Sequence, residues 1–294
     1  TVKNGCLAMS TELLLQQLSA RNSEPIELDR PMELAQLATP ALVLDRGLML
    51  NNMRKMAAHV QDHNKSFRPH SKTHKCPTIA HMQIEQGAVG VCAAKLSEAA
   101  VMLAAGVKSI LLTSPLATVQ KAQGLNALLQ QHPDHKLHLV VDSKEGMEVL
   151  RQSIDADQQL GLLVDIDLSM GRTGTRDVET MLWLIDAMAR DQRFNFAGIQ
   201  HYAGHLMHIP DYAKRKDKSL ASWSRLDDFF SALEGRGIHC DIVTGGGTGT
   251  YDVDVAVDRI TDLQVGSYIF MDEEYRVLAS AGDDRFEDFA LALT

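Results

Sequence analysis

No stretch of this 294-residue chain holds the roughly 18–20 consecutive apolar residues that a membrane-crossing helix needs. Residues 7–18 are partly apolar, but Ser10, Thr11, Glu12, Gln16 and Gln17 interrupt them and the layout is not that of a signal peptide. Positive charge is in short supply. The 29 Lys and Arg face 38 Asp and Glu, and the net charge of −9 argues against nucleic acid or an anionic membrane as partner. The four cysteines, Cys6, Cys76, Cys92 and Cys240, stand far apart with no Cys-x-x-Cys or zinc-type spacing. They read as reduced thiols with buried structural roles in a cytoplasmic protein. No Gly-x-Gly-x-x-Gly follows the first strand, which counts against an open dinucleotide-binding sheet. No His-Glu-x-x-His and no solenoid-type repeat is present.

What is present is a regular alternation of apolar runs and amphipathic stretches. With 45% hydrophobic residues the chain can bury a large core. Strands are predicted at 66–71, 89–94, 109–113, 137–142, 160–166, 196–201, 239–244 and 263–270. Helical stretches lie between them at 76–86, 97–105, 118–131, 144–153, 177–190 and 211–236. Eight strands with interleaved helices predict an α/β protein, a (β/α)8 TIM barrel, over 66–275. Before it, 1–38 forms a head with a short helix at 11–18 capped by Ser10, and Met9 fits an internal start. A lead-in over 39–65 holds a strand at 41–45 and a helix whose Met49, Met53 and Met56 suit core packing. After the barrel, 276–294 reads as the start of an incomplete C-terminal β domain. The charged run Lys214-Arg-Lys-Asp-Lys218 reads as a solvated helix face.

Barrel catalytic groups sit at the C-terminal ends of strands. Polar or glycine-rich motifs cluster there: Lys72, Lys95, 165–172, 201–205 and 245–250. In Ser66-Phe-Arg-Pro-His-Ser-Lys-Thr-His-Lys75, strand alternation sends Arg68, His70 and Lys72 to one side. A lysine shielded from water beside other cations loses its proton more readily and becomes a nucleophilic, imine-forming amine. The same residues also fit a solvated basic loop. Gly245-Gly-Gly-Thr-Gly-Thr250 can turn backbone N–H groups inward and suits a phosphate at a recurrent barrel position, or serves as a plain turn. Arg172 stands between glycine-rich flanks in Asp165-Ile-Asp-Leu-Ser-Met-Gly-Arg-Thr-Gly174. Gln200-His-Tyr-Ala-Gly-His-Leu-Met-His208 carries three histidines, at least two of them structural or surface by default.

The motif Arg68-Pro-His-Ser-Lys-Thr-His-Lys75 resembles the cofactor-lysine motif of the D-threonine aldolase and D-serine dehydratase family. These are pyridoxal 5'-phosphate (PLP) enzymes on the alanine-racemase type of barrel, and the resemblance runs from Thr39-Pro40 to the end of the chain. It implies a Schiff base on Lys72. It implies that Arg172 approaches the pyridine nitrogen and disfavours its protonation. It places phosphate contacts on Thr248, with Gly249 beside it, and on Gly266 and Ser267, and a further cofactor contact on Tyr275. Tyr202-Ala-Gly-His205 is similar to the aldolase pattern in which the histidine takes the β-hydroxyl proton, so His205 is the implied general base. His70, His74 and Lys75 would tune or support the lysine. Lys95 departs from the polar contact, such as Gln, that relatives carry there. The lead-in strand would belong to the second, β-rich domain.

The activity implied is lyase chemistry on D-β-hydroxy amino acids: retro-aldol cleavage to glycine and an aldehyde. Dehydratase-like elimination, racemisation and a non-catalytic PLP-binding role stay open. The family also implies a homodimer and a divalent metal (Mn, Mg or Zn), held by a His and an Asp or Cys of the C-terminal domain. No His follows His239 and no Cys follows Cys240. Those ligands are therefore expected beyond Thr294, with the chain a fragment and no metal ligand of its own.

Overall fold

Eight short parallel strands carry the chain from Ser66 to Leu263 in the computed structural model, which describes residues 40–278 and 286–293. The helix expected at 11–18 lies outside the described residues. The strands are β2 (Ser66–Phe67), β3 (Val91–Ala93), β4 (Ser109–Leu112), β5 (Lys136–Val141), β6 (Leu160–Ile166), β7 (Phe194–His201), β8 (Ile242–Gly245) and β9 (Asp262–Leu263). They pair in the order β2-β9-β8-β7-β6-β5-β4-β3. A parallel bridge between His70 and Cys92, with the Cys92 N–H donating to the Pro69 carbonyl at 2.9 Å, joins the two ends and closes the barrel. The eighth predicted strand is cut short. The last ladder bonds are those of Gln264 N–H to the Gly245 carbonyl and His70 N–H to the Val265 carbonyl, both 2.8 Å, after which the chain turns through a 3-10 segment at Ser267–Ile269.

Every residue of β6 is buried, as expected for a parallel strand covered on both faces. The helices α1 (Arg46–Asp62), α2 (Pro77–Glu85), α3 (Leu96–Ala104), α4 (Val119–Gln131), α5 (Lys144–Ser153), α6 (Val178–Ala189), α7 (Tyr212–Ser224) and α8 (Asp227–Gly235) pack outside. Short polar residues start several of them. Asp45, Ser143, Asp177 and Asp211 each accept an N–H from the first turn of α1, α5, α6 and α7. The single helix predicted over 211–236 is two helices, broken where Leu226 drops into the core. The solvated charged run also needs correction: Arg215 is only 2% exposed, its guanidinium donating to the Ile209 carbonyl at 2.5 Å. Met49, Met53 and Met56 are core residues, all buried. Cys76, Cys92 and Cys240 are free thiols, with Cys92 fully buried.

The barrel interior is filled in layers. At the bottom Arg68 donates to Ser109 Oγ at 2.9 Å and faces Asp262 at 3.7 Å. Gly90 leaves room for the Arg68 guanidinium, and Gly161 leaves room for His138. Cys92, Leu111, Val140, Leu163 and Ala197 form the apolar middle layer. The top layer is polar and faces the C-terminal ends of the strands.

Strand β1 (Leu42–Leu44) lies outside the barrel, antiparallel to β10 (Leu291–Leu293). Asn52 of α1 pins this region down. Its amide donates to the Glu287 carbonyl at 2.8 Å and to the Ile269 carbonyl at 3.3 Å, and its oxygen accepts from Glu287 N–H at 2.5 Å. Asn52→Ala strands those buried groups and is expected to destabilise the fold by about 2–3 kcal/mol. Urea unfolding measures this as a lower midpoint at unchanged slope. An unchanged midpoint would show that the clamp contributes nothing.

Candidate active site

The top layer is the last inward-facing position of each strand. His70 Nδ1 accepts the Lys72 N–H at 3.3 Å, so its proton is on Nε2 and points to Thr113 Oγ1 at 3.1 Å. The Thr113 hydroxyl passes on to the Ala93 carbonyl at 3.3 Å. Gln200 donates both amide hydrogens, to Asp165 Oδ1 at 2.8 Å and the Thr113 carbonyl at 3.3 Å. Its oxygen must then accept, and Gln264 Nε2 donates to it at 3.0 Å. That orientation leaves the Gln264 carbonyl oxygen for whatever fills the space above. Thr173 donates to the other Asp165 oxygen at 2.9 Å. Burial pushes the Asp165 carboxyl up to about 7, against the pull of Gln200 and Thr173.

Above this floor opens a cleft of about 330 Å3, lined by His70, Lys72, Thr113, Arg172, Tyr202 and Gln264 among others. Lys72 sits on the 3-10 turn Ser71–Thr73 that follows β2. Its amine lies 5.6 Å from the centre of the Tyr202 ring, and the Arg172 guanidinium lies 5.4 Å from the same ring. Lys72 is exposed to the open cleft, yet the cleft walls shield it. That desolvation first, and then Arg172, hold its ammonium below the ordinary lysine pKa.

The loop bearing Arg172 is shaped by Asp167, which accepts N–H groups from Ser169 at 3.0 Å, Met170 at 2.7 Å and Arg172 at 2.7 Å. Desolvation works against the Asp167 carboxylate, but these donors win and its pKa is lowered. His70 itself is pushed down to about 3, by burial first and then by Lys72 and Arg172, so it supports the lysine as a neutral ring.

The sign of the His70 contribution to stability follows. In the unfolded chain His70 takes its proton near pH 6.5, whereas in the fold it does so near 3. The stability is therefore complete above about pH 6.5 and is lost as pH falls through that window, by up to about 1.4 kcal/mol per pH unit. His70→Gln keeps an acceptor and a donor but cannot titrate. Between pH 6 and 4 its stability is expected to fall less steeply than the wild type's, by about 1.4 kcal/mol per pH unit. Parallel slopes in urea unfolding at several pH values would contradict this.

A second space of about 460 Å3 is lined by Thr248, Gly249 and Tyr275 together with Arg215, Met271, Phe286 and others. Tyr275 interacts with Ser267 and, electrostatically, with Tyr202, which lines the first cleft. Burial raises the Tyr275 pKa. Thr248 Oγ1 accepts the Tyr268 N–H at 3.1 Å, tying the loop after β8 to the loop after β9. Among the described residues, no acceptor takes the N–H groups of Gly247, Thr248, Gly249 or Gly266. Most glycines of the loop serve close packing rather than unusual dihedrals. Gly246 alone takes a positive φ, +66°, while Gly247 lies against Met207 Sδ and Gly249 presses on the Met207 carbonyl. Gly266 backs onto the lysine turn, where a Cβ would come 2.8 Å from Thr73 Oγ1.

The structure thus brings Lys72 and Arg172 together at Tyr202, with Thr248, Gly249 and Tyr275 on the second space, while Gly266 and Ser267 line neither space. His205 is different. It sits exposed on the 3-10 turn Gly204–Leu206 and does not line the cleft. Tyr202, Thr113, Asp165, Gln200 and Gln264 are site residues that motif reading passes over. The available signal is phase: each of the last four is a polar residue closing the inward-facing series of its strand.

The residues fit PLP. A primary amine of lowered pKa stands over a neutral polar floor, and a set of unused N–H donors with the Thr248 hydroxyl suits a phosphate. Among the described residues, no group of three or more His, Cys, Asp or Glu is arranged to hold a metal ion. Nor is any helix among them long and apolar enough to cross a membrane.

The model of the family "Alanine racemase, N-terminal domain" matches residues 44–274. D-threonine aldolase of an Arthrobacter species is 35% identical over 262 residues, which is 88% of this chain and 68% of that protein. 3-hydroxy-D-aspartate aldolase of Paracoccus denitrificans is 31% identical, over 87% of this chain and 66% of that one. This chain therefore spans about two thirds of the length of both relatives. The crystal structure of D-threonine aldolase from Filomicrobium marinum superposes with a TM-score of 0.84 at 33% identity, covering 90% of this chain and 72% of that one. The chain belongs to the alanine racemase N-terminal domain family and, within it, to the PLP-dependent group that includes D-threonine aldolase.

Proposed function

We propose that this protein is a PLP-dependent lyase that cleaves D-β-hydroxy amino acids to glycine and an aldehyde. The observation that carries this is the Lys72 amine, shielded in the cleft, facing Arg172, with its pKa held down. The named aldolase relatives agree with it, since both act on D-amino acids bearing a β-hydroxyl.

PLP, when bound, supplies an aldehyde for a primary amine and a conjugated ring that accepts the electrons of a bond broken at the substrate α-carbon. The protein's own groups do the rest. Lys72, more readily neutral than an ordinary lysine, offers its Nζ lone pair as the nucleophile. The Thr248 hydroxyl and the N–H groups of Gly249 and Gly266 would hold the phosphate, with Ser267 and Tyr275 contributing further contacts. His70 stays neutral and keeps the turn bearing Lys72 in place through its Nδ1. Arg172, above the Tyr202 face, holds positive charge at the cleft mouth where an anionic group would lie. His205 lies outside this cleft, on the turn Gly204–Leu206, so it serves as the acceptor of the β-hydroxyl proton only for a substrate that reaches past Tyr202 to that turn.

The test is product analysis with PLP and D-threonine, D-serine or D-alanine. Glycine and acetaldehyde from D-threonine support the proposal. Pyruvate and ammonia from D-serine would point to elimination, and L-alanine from D-alanine to racemisation. No product from any of them, with PLP attached to Lys72, would contradict the lyase reading.

A further inference from the structure

We propose that Asp254 is a positioning residue for the phosphate cradle, tying helix α7 to both ends of the glycine-rich loop. It thereby holds the backbone N–H groups of 247–249 in place for a phosphate-bearing ligand. This rests on the PLP reading above.

Asp254 ends the short helix Tyr251–Asp254 and is fully buried. One carboxylate oxygen accepts from Ser219 Oγ at 2.6 Å and from Trp223 Nε1 at 3.1 Å, both on α7. The other accepts from Thr250 Oγ1 at 2.5 Å, at the far end of the loop. At the near end the same oxygen lies against Gly246, where any Cβ would overlap it. One carboxylate therefore touches both ends of the segment whose N–H groups lack protein acceptors.

The donors of that segment are not organised by bonds of their own, apart from the Thr250 N–H that reaches the Gly247 carbonyl at 3.1 Å. Their placement depends on what brackets them. No ion pair to Asp254 occurs among the described residues, so the group relies on its three donors. A buried carboxylate is poor at raising stability alone, because an apolar residue of similar size usually does as well. What it adds is direction: from one rigid plane, two hydrogen bonds run to α7 and a third to the far end of the loop. Asp254 is sealed from both spaces and has no access to a substrate, so its effect reaches a ligand only through the loop.

The experiment compares PLP with pyridoxal, which has the same aldehyde and no phosphate, by absorbance titration of the whole chain. The wild type is expected to prefer PLP. Asp254→Asn keeps the size but turns an NH2 toward groups that themselves donate. It is expected to weaken PLP by about tenfold or more while pyridoxal affinity stays within about twofold. Ser219→Ala removes one donor and leaves the carboxylate in place. It is expected to shift the ratio in the same direction by a smaller factor, and it decides the matter if Asp254→Asn does not fold. Equal weakening of both ligands, or an unchanged ratio, would overturn the role of Asp254 while leaving the cofactor reading intact. A wild type without preference for PLP would overturn the cofactor reading itself.

Discussion

Replacing Lys72 by alanine is expected to lower product formation from D-threonine by on the order of 10^4-fold or more, because the nucleophile has no substitute. The other cations near the cleft cannot take over. Arg172 carries a guanidinium and no primary amine. Lys75 turns away to pair with Glu98 at 3.8 Å. The fold should barely notice the change. Lys72 is exposed, and its backbone N–H still reaches His70 Nδ1 in the variant. Activity and thermal unfolding together make the test. Lost activity at an unchanged melting temperature supports Lys72 as the reacting amine. Retained activity would contradict it.

Gly249→Ala is expected to lose about 3 kcal/mol of stability, and about tenfold or more in PLP affinity, although only a methyl group is added. The new Cβ would overlap the Met207 carbonyl oxygen and come 2.9 Å from the Met207 carbonyl carbon and Cα. These are backbone atoms, so no side chain can swing aside. The loop must move, and the N–H groups of Thr248 and Gly249 move with it. Gly235→Ala is the matched control. Nothing lies within 4 Å of its added Cβ, and α8 should gain slightly, by about 0.5–1 kcal/mol. Urea unfolding and PLP titration of both variants settle it. Equal behaviour of the two would show that the loop has slack.

Much of the frame is legible in the sequence. The fully buried run Leu160–Ile166 and the inward alternation of Arg68 and His70 depend on local period alone, and the structure realises both, whereas Lys72 reaches the cleft from a 3-10 turn. The lysine turn is legible because its residues are dense and adjacent. Other parts depend on contacts between distant segments. Residues 263–270 read as a long strand, yet the ladder ends at Val265 because Gly266–Tyr268 turn to pack on the lysine turn and on Thr248. The glycine-rich loop reads as a donor nest. Gly247 and Gly249 are also dictated by how closely the loop passes Met207, which no local pattern encodes. Arg215 reads as solvated from its neighbours in sequence, but the Ile209 carbonyl draws it inward. The Asp165–Gln200–Gln264 chain joins three strands and becomes visible only when the barrel brings them together.

The most direct test is to incubate the protein with PLP, reduce with borohydride, digest, and locate the modified peptide by mass. The account predicts one phosphopyridoxyl group, on Lys72, and its absence when D-threonine is present in excess during reduction. Modification spread over surface lysines, or none at all with Lys72 intact, would contradict it.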